Sequence, residues 1–160
     1  MTIATILVAG LVAPAFTNNA YAATGFVGDY DPANWTLTNT NADGYVLISG
    51  APTSIALVGG NQGGGSGDTD YTIPAACEGD VSFDWTYKTD DVSPFWDPAG
   101  YLVNGVFTQL SNNGGSNTQT GSTTITVSGG DVFGFRIHTV DNIFGAGSFA
   151  TITNLQTPDC

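Results

Sequence analysis

Residues 81–88, Val-Ser-Phe-Asp-Trp-Thr-Tyr-Lys, alternate apolar and polar side chains without interruption. A period of two is what a strand with one buried face requires. Val81, Phe83, Trp85 and Tyr87 are therefore expected inward, and Ser82, Asp84, Thr86 and Lys88 outward. Residues 101–108 place Asn104-Gly105 between two apolar runs, a strong hairpin signal because both turn positions need positive φ. A further hairpin is expected from 124–127 and 132–137 around Ser128-Gly129-Gly130-Asp131. It would turn Phe133, Phe135 and Ile137 inward and leave Arg136 and His138 on the opposite face. Weaker strand patterns run over 34–38, 45–49, 54–58, 71–74 and 148–155, and no segment past the N-terminal stretch shows a helical period. About ten short strands at regular spacing predict an all-β, antiparallel β-sandwich of jelly-roll type, one domain over 23–160. The segments 59–67, 90–100 and 111–120 read as loops.

Charge narrows the partners. The net charge is −12, with Lys88 and Arg136 as the basic residues against fourteen acids, all Asp except Glu78. A phosphate-backbone binder needs clustered Lys and Arg, so nucleic acid is excluded as a partner, and so is docking on anionic membrane surfaces.

The N-terminal residues 3–16 are apolar and lead through Thr17-Asn18-Asn19 to Ala20-Tyr21-Ala22. Small residues at Ala20 and Ala22 form an A-x-A site, which predicts a secretory signal over 1–22 cleaved after Ala22. The segment lacks a basic n-region, so retention as an apolar strand or helix is the competing reading. The apolar run is short for a membrane span, which needs about 20 residues. Cys77 and Cys160 fit no metal-ligand spacing. In an exported chain the simplest reading is one disulfide closing a long loop, against the competing reading of two unpaired buried thiols.

The words GDTDYT (67–72), VSFDWTY (81–87), DPAGYLVNGVFTQL (97–110), DVFGFRIHTVDNIFGAG (131–147) and TITNLQTP (151–158) follow one another in the order of a known pattern. The sequence resembles a β-sandwich module of exported bacterial surface proteins, many of which carry a PEP-CTERM sorting tail. The resemblance covers about 25–158. It implies an extracellular module and supplies no catalytic residues. The Pro-Glu-Pro motif, apolar span and basic tail of those relatives do not follow Pro158, so sorting by that route is not expected.

Catalytic equipment is sparse. His138 sits on an expected strand without a nucleophile elbow, and paired carboxylates among so many Asp residues carry little meaning. Enzymatic activity is not expected. Calcium is better suited, because it takes oxygen ligands from loop carboxylates, amides and carbonyls. Asp90, Asp91, Asp97 and Asp141 fall at expected strand ends and form a candidate Ca²⁺ set, against the competing reading of solvated loop acids. Asp68 and Asp70 form another acidic group. Trp96 and Phe95, with Asn142 nearby, are candidate ligand contacts, since exposed aromatics among Asp and Asn can stack on sugar rings. Tyr30 and Trp35 could join them.

Two functions follow as expectations. One is a secreted, self-associating subunit of an extracellular filament, sheath or matrix, its edge strands lacking the lysines that block strand addition. The alternative is an extracellular carbohydrate- or ligand-binding module stabilised by calcium, with polysaccharide as the partner.

Overall fold

The computed structural model describes residues 23–143, 149–158 and 160. The N-terminal segment 1–22, with its expected signal and cleavage site, lies outside the described residues. Among the described residues there are eleven strands: β1 (Ala23–Thr24), β2 (Thr36–Thr40), β3 (Tyr45–Leu47), β4 (Ser54–Val58), β5 (Gly67–Pro74), β6 (Gly79–Lys88), β7 (Ala99–Val103), β8 (Val106–Gln109), β9 (Thr118–Val127), β10 (Val132–Thr139) and β11 (Phe149–Thr157). They form two antiparallel sheets, as the alternation predicts. One has the order β3-β4-β11-β6-β9, with β1 also paired to β11; the other is β2-β5-β10-β7-β8. Among the described residues, no helix is long and apolar enough to cross a membrane.

The inward positions of both sheets make one core. Val81, Phe83 and Tyr87 of β6 and Ile55 and Leu57 of β4 face Tyr71, Ile73, Phe133, Phe135 and Ile137 of the other sheet. Each such side chain contributes about 1.5–3 kcal/mol on full burial. Residues 25–35 cross from β1 to β2 through two short 3-10 turns and plug one end of the sandwich. There Trp35 stacks between Tyr71 and Phe135, ring centroids 5.1 and 5.7 Å away, and its indole N–H donates to the Tyr30 carbonyl at 3.0 Å. Trp35 and Tyr30 are thus core residues, and neither is available to stack on a ligand.

The hairpin at Asn104-Gly105 is present between β7 and β8, with φ of 50° and 78° at the turn. The expected hairpin of 124–127 with 132–137 is not. β9 pairs with β6 in one sheet, while β10 lies between β5 and β7 in the other, so residues 128–131 cross between layers. Ile125 and Val127 face Phe133 and Phe135 across the core instead of lying beside them. The Cys77–Cys160 disulfide is formed, with 5.9 Å between the Cα atoms, and fastens the C-terminal residue to the chain just before β6.

Candidate functional site

Strand direction brings the loops 41–43, 59–66, 89–98, 111–117 and 140–143 to one end of the sandwich, opposite the disulfide. Hydrogen bonds join them. The Val140 amide donates to the Trp96 carbonyl at 2.8 Å, and the His138 amide to the Pro98 carbonyl at 2.9 Å, so the exit of β10 holds the loop that follows β6. The Ser93 hydroxyl donates to the Asn113 carbonyl at 3.2 Å, and the Asn117 side chain donates to the Asp91 carbonyl, which ties in the 111–117 loop.

Phe95 and Trp96 sit on this platform, their rings edge to face with centroids 5.3 Å apart. The Trp96 amide donates to the Ser93 carbonyl, closing a tight turn under both residues. Phe95 is 48% exposed, Trp96 is half-buried, and Val92 beside them is 87% exposed. Ile143, in the loop next door, is 48% exposed. Asn112, Asn113, Ser93 and Asp90 supply polar groups within the same set of loops. Apolar surface rimmed by such groups on hydrogen-bonded loops is the usual composition of a small-ligand contact surface.

The acids of this end do separate jobs. Asp90 pairs with Lys88. Asp91 is buried, and its carboxylate accepts the Val92 amide. Asp97 is fully buried; its carboxylate accepts from the Thr89 hydroxyl at 3.4 Å, and its carbonyl from the Tyr87 hydroxyl at 2.9 Å. Burial, with Asp97 and Asp91 nearby, pushes the Tyr87 hydroxyl far above the ordinary tyrosine range, so it stays a donor. The Asp141 carboxylate accepts the Ile143 amide at 3.0 Å. The Thr89 hydroxyl thus donates to the Asp97 carboxylate and accepts the Asp91 backbone amide. Among the described residues, no three His, Cys, Asp or Glu side chains stand together as metal ligands.

Asn142 is the clearest departure from expectation. It is fully buried, and its side-chain amide donates to the carbonyls of Asn41 and Gly65, while the Gly63 amide donates to the Asn142 backbone carbonyl. It fastens three loops from within and presents no surface to a ligand.

His138 belongs to an ion-pair ladder on the outer face of the β2-β5-β10-β7-β8 sheet. Its Nδ1 lies 2.8 Å from Asp68, and Arg136 makes two bonds to Asp70, at 2.6 and 2.7 Å. The Arg136 guanidinium lies 5.7 Å over the Phe107 ring. The histidine's carboxylate partner is thus shared with an arginine, with no serine or cysteine among its bonded groups.

A second polar feature escaped the sequence reading. On the outer face of the other sheet, a recess of about 290 Å³ is lined by Thr24, Ser82, Asp84, Ser122, Thr124, Asn154 and Gln156, among others. These residues come from four strands far apart in sequence. The alternation that marks Ser82 and Asp84 as outward was the one available signal.

Solved structures are similar to this chain, three of them as follows. A study of promiscuous specificity in carbohydrate-binding modules of the β-sandwich superfamily describes a chain that aligns at a TM-score of 0.51 and 13% identity, over 86% of this chain and 60% of that one. A family 35 carbohydrate-binding module from Clostridium thermocellum aligns at 0.41 and 12% identity, over 81% and 95%. A module described for specific mannan recognition aligns at 0.45 and 11%, over 88% and 99%. At these identities the likeness is one of fold, a β-sandwich also built by carbohydrate-binding modules. No protein-family model matches the sequence, and no curated protein matches it. None of these comparisons bears on the PEP-CTERM surface proteins.

Proposed function

We propose that this protein is a non-catalytic, extracellular carbohydrate-binding module that contacts a neutral glycan at the loop end through Trp96 and Phe95. The observation that carries the reading is the edge-to-face pair of an exposed Phe95 and a half-buried Trp96 on loops fixed by the Val140–Trp96 and Ser93–Asn113 hydrogen bonds. The sandwich shared with carbohydrate-binding modules supports it, as does the acidic balance of that end, where Lys88 is paired with Asp90 and offers an anionic glycan little counter-charge. Export through the 1–22 segment, in the manner of the bacterial surface modules the sequence resembles, is part of the proposal. A glycan array read with wild type, Trp96→Ala and Phe95→Ala tests it. Retention by wild type that either substitution abolishes supports the site, and no binding to any glycan removes it.

Calcium enters only as a brace for these loops. Asp91 and Asp97, both buried in the 89–98 loop, would be the first ligands of such an ion. A melting temperature raised by calcium and lowered by chelation supports the brace; one unmoved by either removes it.

Self-association is the second reading, and β9 favours it. This edge strand pairs with β6 along its whole length on one side, and Thr118–Val127 contains no charged residue and no proline. Such an edge is a template for strand addition. Ordered polymers in negative-stain images would support it, and monomers at every concentration would exclude it.

A further inference from the structure

The recess on the outer face of the β3-β4-β11-β6-β9 sheet is built by an irregularity of β11. The pairing of β11 with β6 is in register from Phe149 to Thr153 and resumes, shifted, at Gln156 opposite Ser82. Asn154, at the shift, has φ 49°, a left-handed conformation that few residues other than glycine adopt. Bulges of this kind re-aim side chains. Here the Asn154 side-chain amide reaches across to β6 and donates to Asp84 Oδ2 at 2.6 Å, while the Ser122 hydroxyl of β9 donates to Asp84 Oδ1. Asp84 is thereby fixed in the floor of the recess, flanked by hydroxyl and amide groups of Ser82, Thr124, Gln156 and Thr24. A shallower hollow lined by Thr24, Gly25, Pro52, Thr53 and Asn154 continues it past β1. Together they make a groove across β9, β6, β11 and β1, about 14 Å at the usual strand spacing.

The chemistry of the lining selects the occupant. Lys, Arg and His are absent from it, so an anion would meet a carboxylate and no counter-charge. Its one large apolar residue, Phe83, turns its ring into the core, so a lipid chain finds nothing to bury against. A hard cation wants six or more oxygen ligands, whereas the single carboxylate here already faces two donor groups. Hydroxyls that both donate and accept fit the whole set. The two donors also hold the Asp84 carboxyl below the ordinary carboxylate range, so it is an acceptor throughout the neutral region.

We infer that this groove is a second glycan-contact site, in which Asp84 and Asn154 hydrogen-bond the hydroxyls of a neutral saccharide chain lying across the sheet. The inference rests on the reading of the protein as a glycan binder but not on the loop-end rings. The test is amide chemical-shift mapping of the full chain with neutral trisaccharides of mannose, galactose, xylose and glucose, and with calcium chloride as a separate probe. At least one trisaccharide should shift the amides of Ser82, Asp84, Ser122, Thr124 and Asn154. Asp84→Ala should weaken that binding at least about tenfold, the loss of one charge-assisted hydrogen bond. Asn154→Gly, which tolerates the same backbone, should weaken it too with the melting transition retained, and Trp96→Ala should leave these shifts in place. Shifts confined to 92–96 would overturn the inference and uphold the loop-end site; shifts confined to the sheet face would uphold the inference and contradict the loop end. Silence at both places contradicts both. A response of the Asp84 region to calcium alone, or saccharide shifts that survive Asp84→Ala, would also overturn the second site.

Discussion

The amide of Val140 donates to the carbonyl of Trp96 at 2.8 Å, joining the exit of β10 to the loop that leaves β6. That one bond makes the Trp96 loop part of the rigid sandwich end. A loop backbone fastened in advance has less freedom to lose on binding, which is the advantage a pre-formed site would give the proposed glycan contact.

The two tryptophans outside β6 should separate stability from binding. Trp35→Ala removes a ring packed on Tyr71, Phe133, Phe135 and Phe26, and should cost about 3–5 kcal/mol. Trp96→Ala removes a half-buried ring from a loop and should cost about 1 kcal/mol or less. Chemical denaturation of both variants measures the contrast.

Arg136→Ala takes the guanidinium away from the partly buried Asp68 and Asp70, deprives Asp70 of both its paired bonds and uncovers Phe107. A loss of about 3 kcal/mol is expected from breaking a pair of this kind. Arg136→Lys should restore only part of it, because an ammonium cannot make the paired bonds to Asp70. Urea midpoints of the two variants check the order.

Reduction of Cys77–Cys160 opens a loop with a sequence separation of 83. The expected destabilisation is about 4 kcal/mol by the chain-entropy estimate. Thermal melts with and without reductant, and of Cys160→Ser, should agree with one another.

Asp131 accepts from the Asn104 side chain at 2.9 Å and from the Ser128 amide at 2.8 Å, and these bonds hold its carboxyl below the ordinary range. A carboxyl depressed in the folded state stabilises fully above its unfolded pKa of about 3.9. That contribution is lost as pH falls from there through the folded value. Asp131→Asn should therefore lower stability at neutral pH and narrow its gap to wild type in strong acid. Unfolding curves recorded from neutral pH down to pH 2 test the sign.

The legible parts of the fold were those where one side chain in two is apolar. Val81, Phe83 and Tyr87 are buried as their alternation requires, and Asn104-Gly105 turns the β7-β8 hairpin. The first half of β9 is not legible in the sequence, because Thr118 to Thr124 is entirely hydroxyl, amide and glycine, the composition of a loop; its pairing with β6 makes it a strand. The crossing at 128–131 was read as a hairpin because turn chemistry reports a reversal and not the sheet to which the chain returns. At the candidate site, the loop position of Phe95 and Trp96 was visible. The burial of Asn142 and Trp35 was not, because a polar or aromatic residue beside a loop carries no periodicity to mark its direction. The Asp84–Asn154 contact spans 70 positions and depends on a backbone irregularity that no local pattern announces.

The central claim is that the loop-end rings grip neutral glycan. Its most direct test is depletion of the protein from solution by insoluble neutral polysaccharides, wild type beside Trp96→Ala, with both shown to be folded by their melting transitions. Wild type should be retained by at least one polysaccharide and Trp96→Ala should stay in solution. Equal retention of the two, or none of wild type on any of them, would contradict the claim.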